Sequence, residues 1–128
     1  MPIEYEIDRK RGLVRTRCVG ETTLAEVMEH FRILHDDPAL PQRVNVLLDL
    51  SELTSVPERE QLRTIVGHVK ALRSELRWGA LAIAARSDLL FGMSRVFGIF
   101  VEESFTNTGV FRRPAEAEVW LASQREGR

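Results

Sequence analysis

After a proline-bounded loop, Pro38-Ala39-Leu40-Pro41-Gln42, the chain runs Val44-Asn45-Val46-Leu47-Leu48-Asp49-Leu50-Ser51, nearly apolar until it closes on an acid and a hydroxyl. A strand with this pattern has little polar surface to turn to water on either face. It needs helices above and below it, and helix-like stretches flank it in sequence. The run therefore reads as the middle strand of a small α/β sheet. Asp49 and Ser51, where it ends, then open into a loop at the carboxyl edge, where α/β sheets bind their ligands.

Upstream, Ile3, Tyr5 and Ile7 alternate with Glu4 and Glu6, the period of a strand with one wet face. Asp8-Arg9-Lys10-Arg11-Gly12 is a polar connector closing on glycine, and Leu13 to Val19 is the returning strand. On it Val14, Thr16 and Cys18 share one face, and Arg15 and Arg17 share the other with Leu13 and Val19. The arginines are expected on the solvated face of an antiparallel edge, and Cys18 in the core. Cys18 is the only cysteine, so no intramolecular disulfide forms and a zinc site needs other ligands. A reducing cytoplasm is the expected compartment.

Two helices bracket the central run. Gly20 breaks the strand before Thr23-Leu24-Ala25-Glu26, which has the form of a capping box. Leu24, Val27, Met28, Phe31 and Leu34 follow as one apolar stripe. His30 on its flank and His35 near its end read as boundary histidines, because no metal-ligand partners accompany them. Ser55-Val56-Pro57-Glu58 reads as a second capping box with Ser55 as N-cap and proline in the first turn. Its stripe is Leu62, Ile65, Val66, Val69, Leu72 and Leu76, with Gly67 on the opposite side, where glycine costs about 1 kcal/mol relative to alanine.

Trp78 to Ala85 is apolar throughout, a second buried strand whose small residues admit close helix packing. Arg86-Ser87-Asp88 then opens a third helix that is more apolar than one core face requires. Leu89, Leu90, Met93, Val96, Phe97, Ile99, Phe100 and Val101 spread over more than half its circumference, and Phe91 lies outside that arc near Gly98. A core face uses about a third of a helix surface. Leu90, Phe91, Phe97 and Val101 are therefore expected as exposed apolar surface: a subunit interface, a partner surface or the wall of a ligand groove. Gly109-Val110-Phe111 gives a last strand and Pro114 to Leu121 a last helix anchored by Val119, Trp120 and Leu121, with a frayed tail from Ser123 to Arg128. The expected order is ββαβαβαβα in a single domain over residues 1–122. Its mixed central sheet opens with an antiparallel hairpin and continues with parallel strands.

Of the 128 residues, 18 are Lys or Arg and 19 are Asp or Glu, a net charge of -1 that argues against nonspecific nucleic-acid binding. No apolar run approaches the roughly 20 residues of a membrane span. The opening Met1-Pro2-Ile3-Glu4-Tyr5-Glu6 is too acidic for a signal peptide. Enzyme signatures are missing: the chain has no Gly-rich phosphate loop, no Gly-x-Ser-x-Gly elbow and no metal-spaced His/Cys/Asp set. The spacing of Asp49, His68 and Ser87 does not support a triad. No cofactor is expected.

The element order, with Leu47-Leu48-Asp49-Leu50-Ser51-Glu52-Leu53-Thr54 at its centre, resembles the STAS domain of anti-sigma-factor antagonists. It resembles still more the SpoIIAA-like branch of bacterial proteins, also described as STAS/SEC14-like. The acidic opening hairpin, the aspartate in the central strand, the Asp88-Leu89 pair and the Trp120-Leu121 pair carry this likeness over essentially the whole chain. In the serine-switched antagonists a phosphorylated serine lies in an Asp-Ser-Ser-Gly stretch after that strand. Here that stretch falls on Pro57-Glu58-Arg59-Glu60, which holds no hydroxyl.

The resemblance implies a non-enzymatic regulatory module that works through a protein partner, without that serine switch. Its expected surface comprises Asp49, Ser51, Thr54, Ser55, Glu58, Arg86, Ser87 and Asp88, with capping as the plainer role for Ser55 and Ser87. The alternative is a SEC14-like protein that binds a small apolar ligand or lipid, although 128 residues leave little room for a deep lipid cavity. A homodimer burying the third helix competes for the same apolar face.

Overall fold

The computed structural model describes residues 2–72 and 77–126. Its elements are β1 (Ile3–Asp8), β2 (Leu13–Gly20), α1 (Leu24–Asp36), β3 (Arg43–Leu53), α2 (Arg59–Leu72), β4 (Arg77–Ala84), α3 (Asp88–Val101), β5 (Asn107–Phe111) and α4 (Pro114–Glu126). A single 3-10 turn, Glu102–Ser104, follows α3. This is the expected order, and the expected mixed sheet. The strands lie in sequence order, β1 antiparallel to β2 and the remaining neighbours parallel.

That strand order decides where the helices go. Each of α1, α2 and α3 joins a strand to its next parallel neighbour on the same side, and right-handed crossovers then bring all three onto one face. There Phe31 of α1, Val66 and Val69 of α2 and Phe97 and Val101 of α3 meet Val46, Leu48, Leu81 and Ile83. The helix α4 follows the last strand, is not a crossover, and takes the other face. Its Ala117, Leu121 and Trp120 cover Leu13, Leu47, Ala80, Ala82 and Phe111. The alanines of β4 let α4 lie close, as their size predicts. Val119 is 74% exposed and no part of that anchor. Consecutive residues 100° apart on a helix cannot all face inward, and Ala117 holds the inner position instead.

One helix leaves part of that second face uncovered, and the chain fills it with charge. Arg15 pairs with Glu6, Asp8 and Glu118, and Arg17 with Glu4 and Glu52. The arginines thus sit on the wetter face as expected, although β1 and not β2 is the sheet edge. Opposite them Val14, Thr16 and Cys18 are buried.

Several boundaries differ from those the sequence suggests. The strand β3 continues past Ser51 to Leu53 because a bulge absorbs the polar residues. Arg17 faces Asp49, but two residues later Val19 already faces Glu52. Asp49 Oδ1 accepts from both the backbone N–H and the hydroxyl of Ser51, at 2.9 and 2.6 Å, which stabilises the extra residue. The helix α2 begins at Arg59, so Ser55 does not cap it. The cap is Glu58, whose carbonyl accepts the first helical bond from Leu62 and whose N–H donates to Gln61 Oε1 at 2.9 Å. Pro57 therefore precedes the helix and is not in its first turn. The helix α4 runs to Glu126, through residues expected to fray. Leu76 and residues 127–128 lie outside the described residues. The capping box of α1 is present as expected, Thr23 and Glu26 each bonding the other's backbone N–H.

Candidate functional site

The polar residues expected to form a surface stand at the carboxyl edge of the sheet, but in two separate groups. In the first, Asp49 and Ser51 hold the bulge, and Thr54 donates its N–H to Gly20 O at 3.0 Å. Ser55 accepts from Thr22 N at 3.0 Å and donates to Thr22 O, fastening the β3–α2 loop to the start of α1. Glu58 is an exposed cap. In the second group Ser87 caps α3 by accepting from Leu90 N. Arg112 donates to the Arg86 carbonyl and to Asp88, and lies 4.0 Å over the Phe91 ring. Among the described residues no hydrogen bond joins the two groups. Asp49, Ser51, Ser55, Ser87 and Asp88 make structural hydrogen bonds through their side chains, and Thr54, Glu58 and Arg86 are bonded through their backbone. No cluster of three or more His, Cys, Asp or Glu able to hold a metal occurs among the described residues.

A different feature lies beneath that edge. Between the sheet and α1, α2 and α3 is an apolar cavity of about 180 Å³. One end is rimmed by Thr22, Thr23, Ser55, Pro57 and Gln61 at the carboxyl edge, and the other reaches Leu34, Val69, Trp78 and Phe105. The sheet supplies its floor through Thr16, Cys18, Val46, Leu48, Leu50, Leu81 and Ile83. The helices supply Val27, His30 and Phe31, then Leu62 and Ile65, then Leu90, Met93 and Phe97. Many of these apolar residues, Leu24, Val27, Leu48, Leu50, Leu62, Ile65, Met93 and Phe97 among them, are only half-buried.

Away from the rim, Thr16, Cys18, His30 and Ser94 bring polar groups into this wall. Thr16 Oγ1 and His30 Nε2 lie 3.4 Å apart, with the His30 ring edge-on to Tyr5. Burial pushes the His30 pKa down to about 4, so the ring is neutral at ordinary pH. Burial, with a smaller contribution from the charge of Asp49, pushes the Cys18 thiol up to about 11. That is the opposite of an activated nucleophile.

The cavity was only partly legible in sequence. Many of its residues read in sequence as core stripes, and no periodicity says that three stripes fail to close against a sheet. The available signal was polar: Thr16 occupies a core position on β2, beside Cys18 and across from His30 on the flank of α1.

The structure also corrects which residues of α3 face outward. Leu90 and Val101, expected to be exposed, are 6% and 0% exposed. Phe97 packs against the core and lines the cavity with Leu90, and Phe91 is half-buried under Arg112. The outer face carries Leu89, Val96, Ile99 and Phe100, at 61%, 46%, 64% and 54% exposure. The excess of apolar surface was real, but the helix is rotated so that Leu90, Ser94, Gly98 and Val101 point inward.

Comparison with solved structures finds the same fold in an uncharacterised protein of the DUF3478 family with a SpoIIAA-like fold, from Shewanella loihica PV-4. The two share 20% identity over 93% of this chain and 91% of that one, with a TM-score of 0.63. At that identity the likeness is one of fold. No family model and no curated protein matches the sequence. Among the described residues no helix is long and apolar enough to cross a membrane.

Proposed function

We propose that this SpoIIAA-like chain is a non-catalytic binding module that takes a small apolar molecule between its sheet and helices α1, α2 and α3. The cavity carries this reading. An unfilled apolar space of about 180 Å³ forfeits on the order of a few kcal/mol of packing, and well-packed small domains rarely retain one. Concave, largely apolar walls with a few polar groups are the usual form of a small-molecule site. The volume is far too small for a whole phospholipid, which keeps the ligand small.

Two measurements test this. Native mass spectrometry of the purified protein is expected to show a releasable small mass on activation. Saturating toluene is expected to raise the thermal midpoint by about 4 °C or more, through preferential binding to the folded state. If no mass is released and toluene leaves the midpoint unchanged, the proposal fails.

A second reading is favoured by the outer face of α3. Leu89, Val96, Ile99 and Phe100 form an exposed apolar stripe that fits a protein contact. Glu58 stands where the phosphorylatable serine would be, so such a contact operates without that switch. Sedimentation at rising concentration, for the wild type and a Phe100→Lys variant, tests whether the covering protein is a second copy.

A further inference from the structure

Resting on the reading of the cavity as a ligand site, we infer that its ligand is an uncharged amphiphile, with an apolar body of about six to ten carbons and one hydroxyl or carbonyl oxygen. The first ground is what the wall lacks. Among the described residues that line the cavity there is no Asp, Glu, Lys or Arg. An ionised group drawn inside loses its hydration and meets no countercharge, a penalty no apolar contact offsets. The titratable side chains in the wall, His30 and Cys18, are neutral from about pH 5 to about pH 10 because burial holds the first pKa low and the second high.

The second ground is what the wall leaves unused. Two lining residues carry buried polar atoms without a hydrogen-bond partner, Thr22 Oγ1 and Trp78 Nε1. They mark opposite ends of the cavity, because Thr22 follows the carboxyl end of β2 and Trp78 lies at the start of the parallel β4. The Thr22 backbone N–H and carbonyl are engaged by Ser55, so only its hydroxyl remains open. Trp78 is 7% exposed, and its indole N–H can only donate. A buried donor left unpaired is expensive, and a ligand oxygen beside it removes that expense. One neutral oxygen at one end of an apolar body pairs with one of these two atoms without bringing in a charge, as a carboxylate or an ammonium would.

Calorimetric titration of the intact protein at pH 8 with octan-1-ol, octanoate and octylammonium tests the inference. Octan-1-ol is expected to bind, with both ions weaker by about tenfold or more. Either ion binding as tightly as the alcohol overturns the inference but leaves the apolar-site reading standing. Failure of all three, together with toluene, overturns both. The near-isosteric Thr22→Val and the Trp78→Phe variants assign the polar contact. One of them is expected to weaken octan-1-ol by about three- to tenfold while toluene binding is retained. If neither variant changes octan-1-ol binding, the role given to these two atoms is wrong.

Discussion

The side chain of Asn45 occupies the space that a Cβ on Gly79 would need. Asn45 Oδ1 accepts from Ala80 N at 2.8 Å, and it would lie 2.1 Å from a Cβ built on residue 79. This pair resolves a bulge between the two central strands. Val44 faces Trp78 while Val46 faces Leu81, so β4 carries one extra residue, and the Asn45 carboxamide meets the N–H that the bulge leaves over.

Gly79→Ala alone is expected to destabilise by about 2 kcal/mol, through overpacking against a buried carboxamide. Asn45→Ala alone is expected to lose about 1 to 3 kcal/mol by stranding Ala80 N. Because Asn45→Ala vacates the space that Gly79→Ala fills, the double variant should be more stable than the sum of the singles by about 1 kcal/mol. Urea unfolding of the four proteins measures this, and simple additivity would show that the two residues do not share the space.

His30 should give the fold a pH-dependent component. Its pKa is about 4 in the folded chain against an ordinary 6.5, so the unfolded chain binds the proton first as pH falls. Stability is full above pH 6.5, declines between 6.5 and about 4, and over that window falls by roughly 3 kcal/mol. Asp8, Glu29 and Asp37 act lower. Hydrogen bonds from Arg11, Arg32 and Tyr5 hold their carboxyls below the usual values, and that stabilisation is lost only as pH falls through those values. Denaturation midpoints at pH 7.5 and 5.5 should differ in the wild type and converge in a His30→Phe variant. An unchanged difference in the variant would remove His30 as the cause.

Arg15 ties three elements together. It bonds Glu118 of α4 through two nitrogens, at 3.0 and 2.8 Å, and also reaches Glu6 and Asp8 of β1. A two-nitrogen pair, partly shielded, is stronger than a typical surface bridge. Arg15→Met is expected to lose about 1 kcal/mol at low salt and less at 1 M salt. An equal loss at both salt concentrations would assign the effect to packing of the side-chain stem.

Filling the cavity should separate stability from binding. Val27 is half-buried on α1 and lines the space, so Val27→Phe places a ring inside it. The variant is expected to match or exceed the wild type in stability without ligand, by up to about 1 kcal/mol, and to lose the toluene-induced rise in thermal midpoint. A variant that keeps that rise would place the toluene site elsewhere.

The two faces of α3 should respond oppositely to charge. Phe100→Lys on the outer face is expected to change monomer stability by no more than about 0.5 kcal/mol, whereas Val101→Lys, at a position with 0% exposure, should prevent folding. Circular dichroism of the pair reads this directly. Folding by the Val101→Lys variant would contradict the rotation of the helix described above.

The sequence by itself determined the strands, their faces and the order of elements. Side chains alternate with a period of two along a strand, so Val14, Thr16 and Cys18 were bound to share a face and Arg15 and Arg17 the other, whatever the strand paired with. The Thr23–Glu26 capping box and the Ser87 cap are likewise local bonds that sequence spacing announces. The tertiary structure decided what a helix cannot specify alone. An arc of apolar residues wider than one core face left several rotations open to α3, and packing of Val101 into the cluster of Val66, Val69, Leu81 and Ile83 goes with the one that exposes Ile99 and Phe100. Ser55 left its expected cap because Thr22, far off in sequence, offered it a backbone N–H and carbonyl. The candidate site was hidden for the same reason. A cavity is a matter of how closely three helices approach one sheet, and that distance is set by their joint packing, not by the periodicity of any one of them.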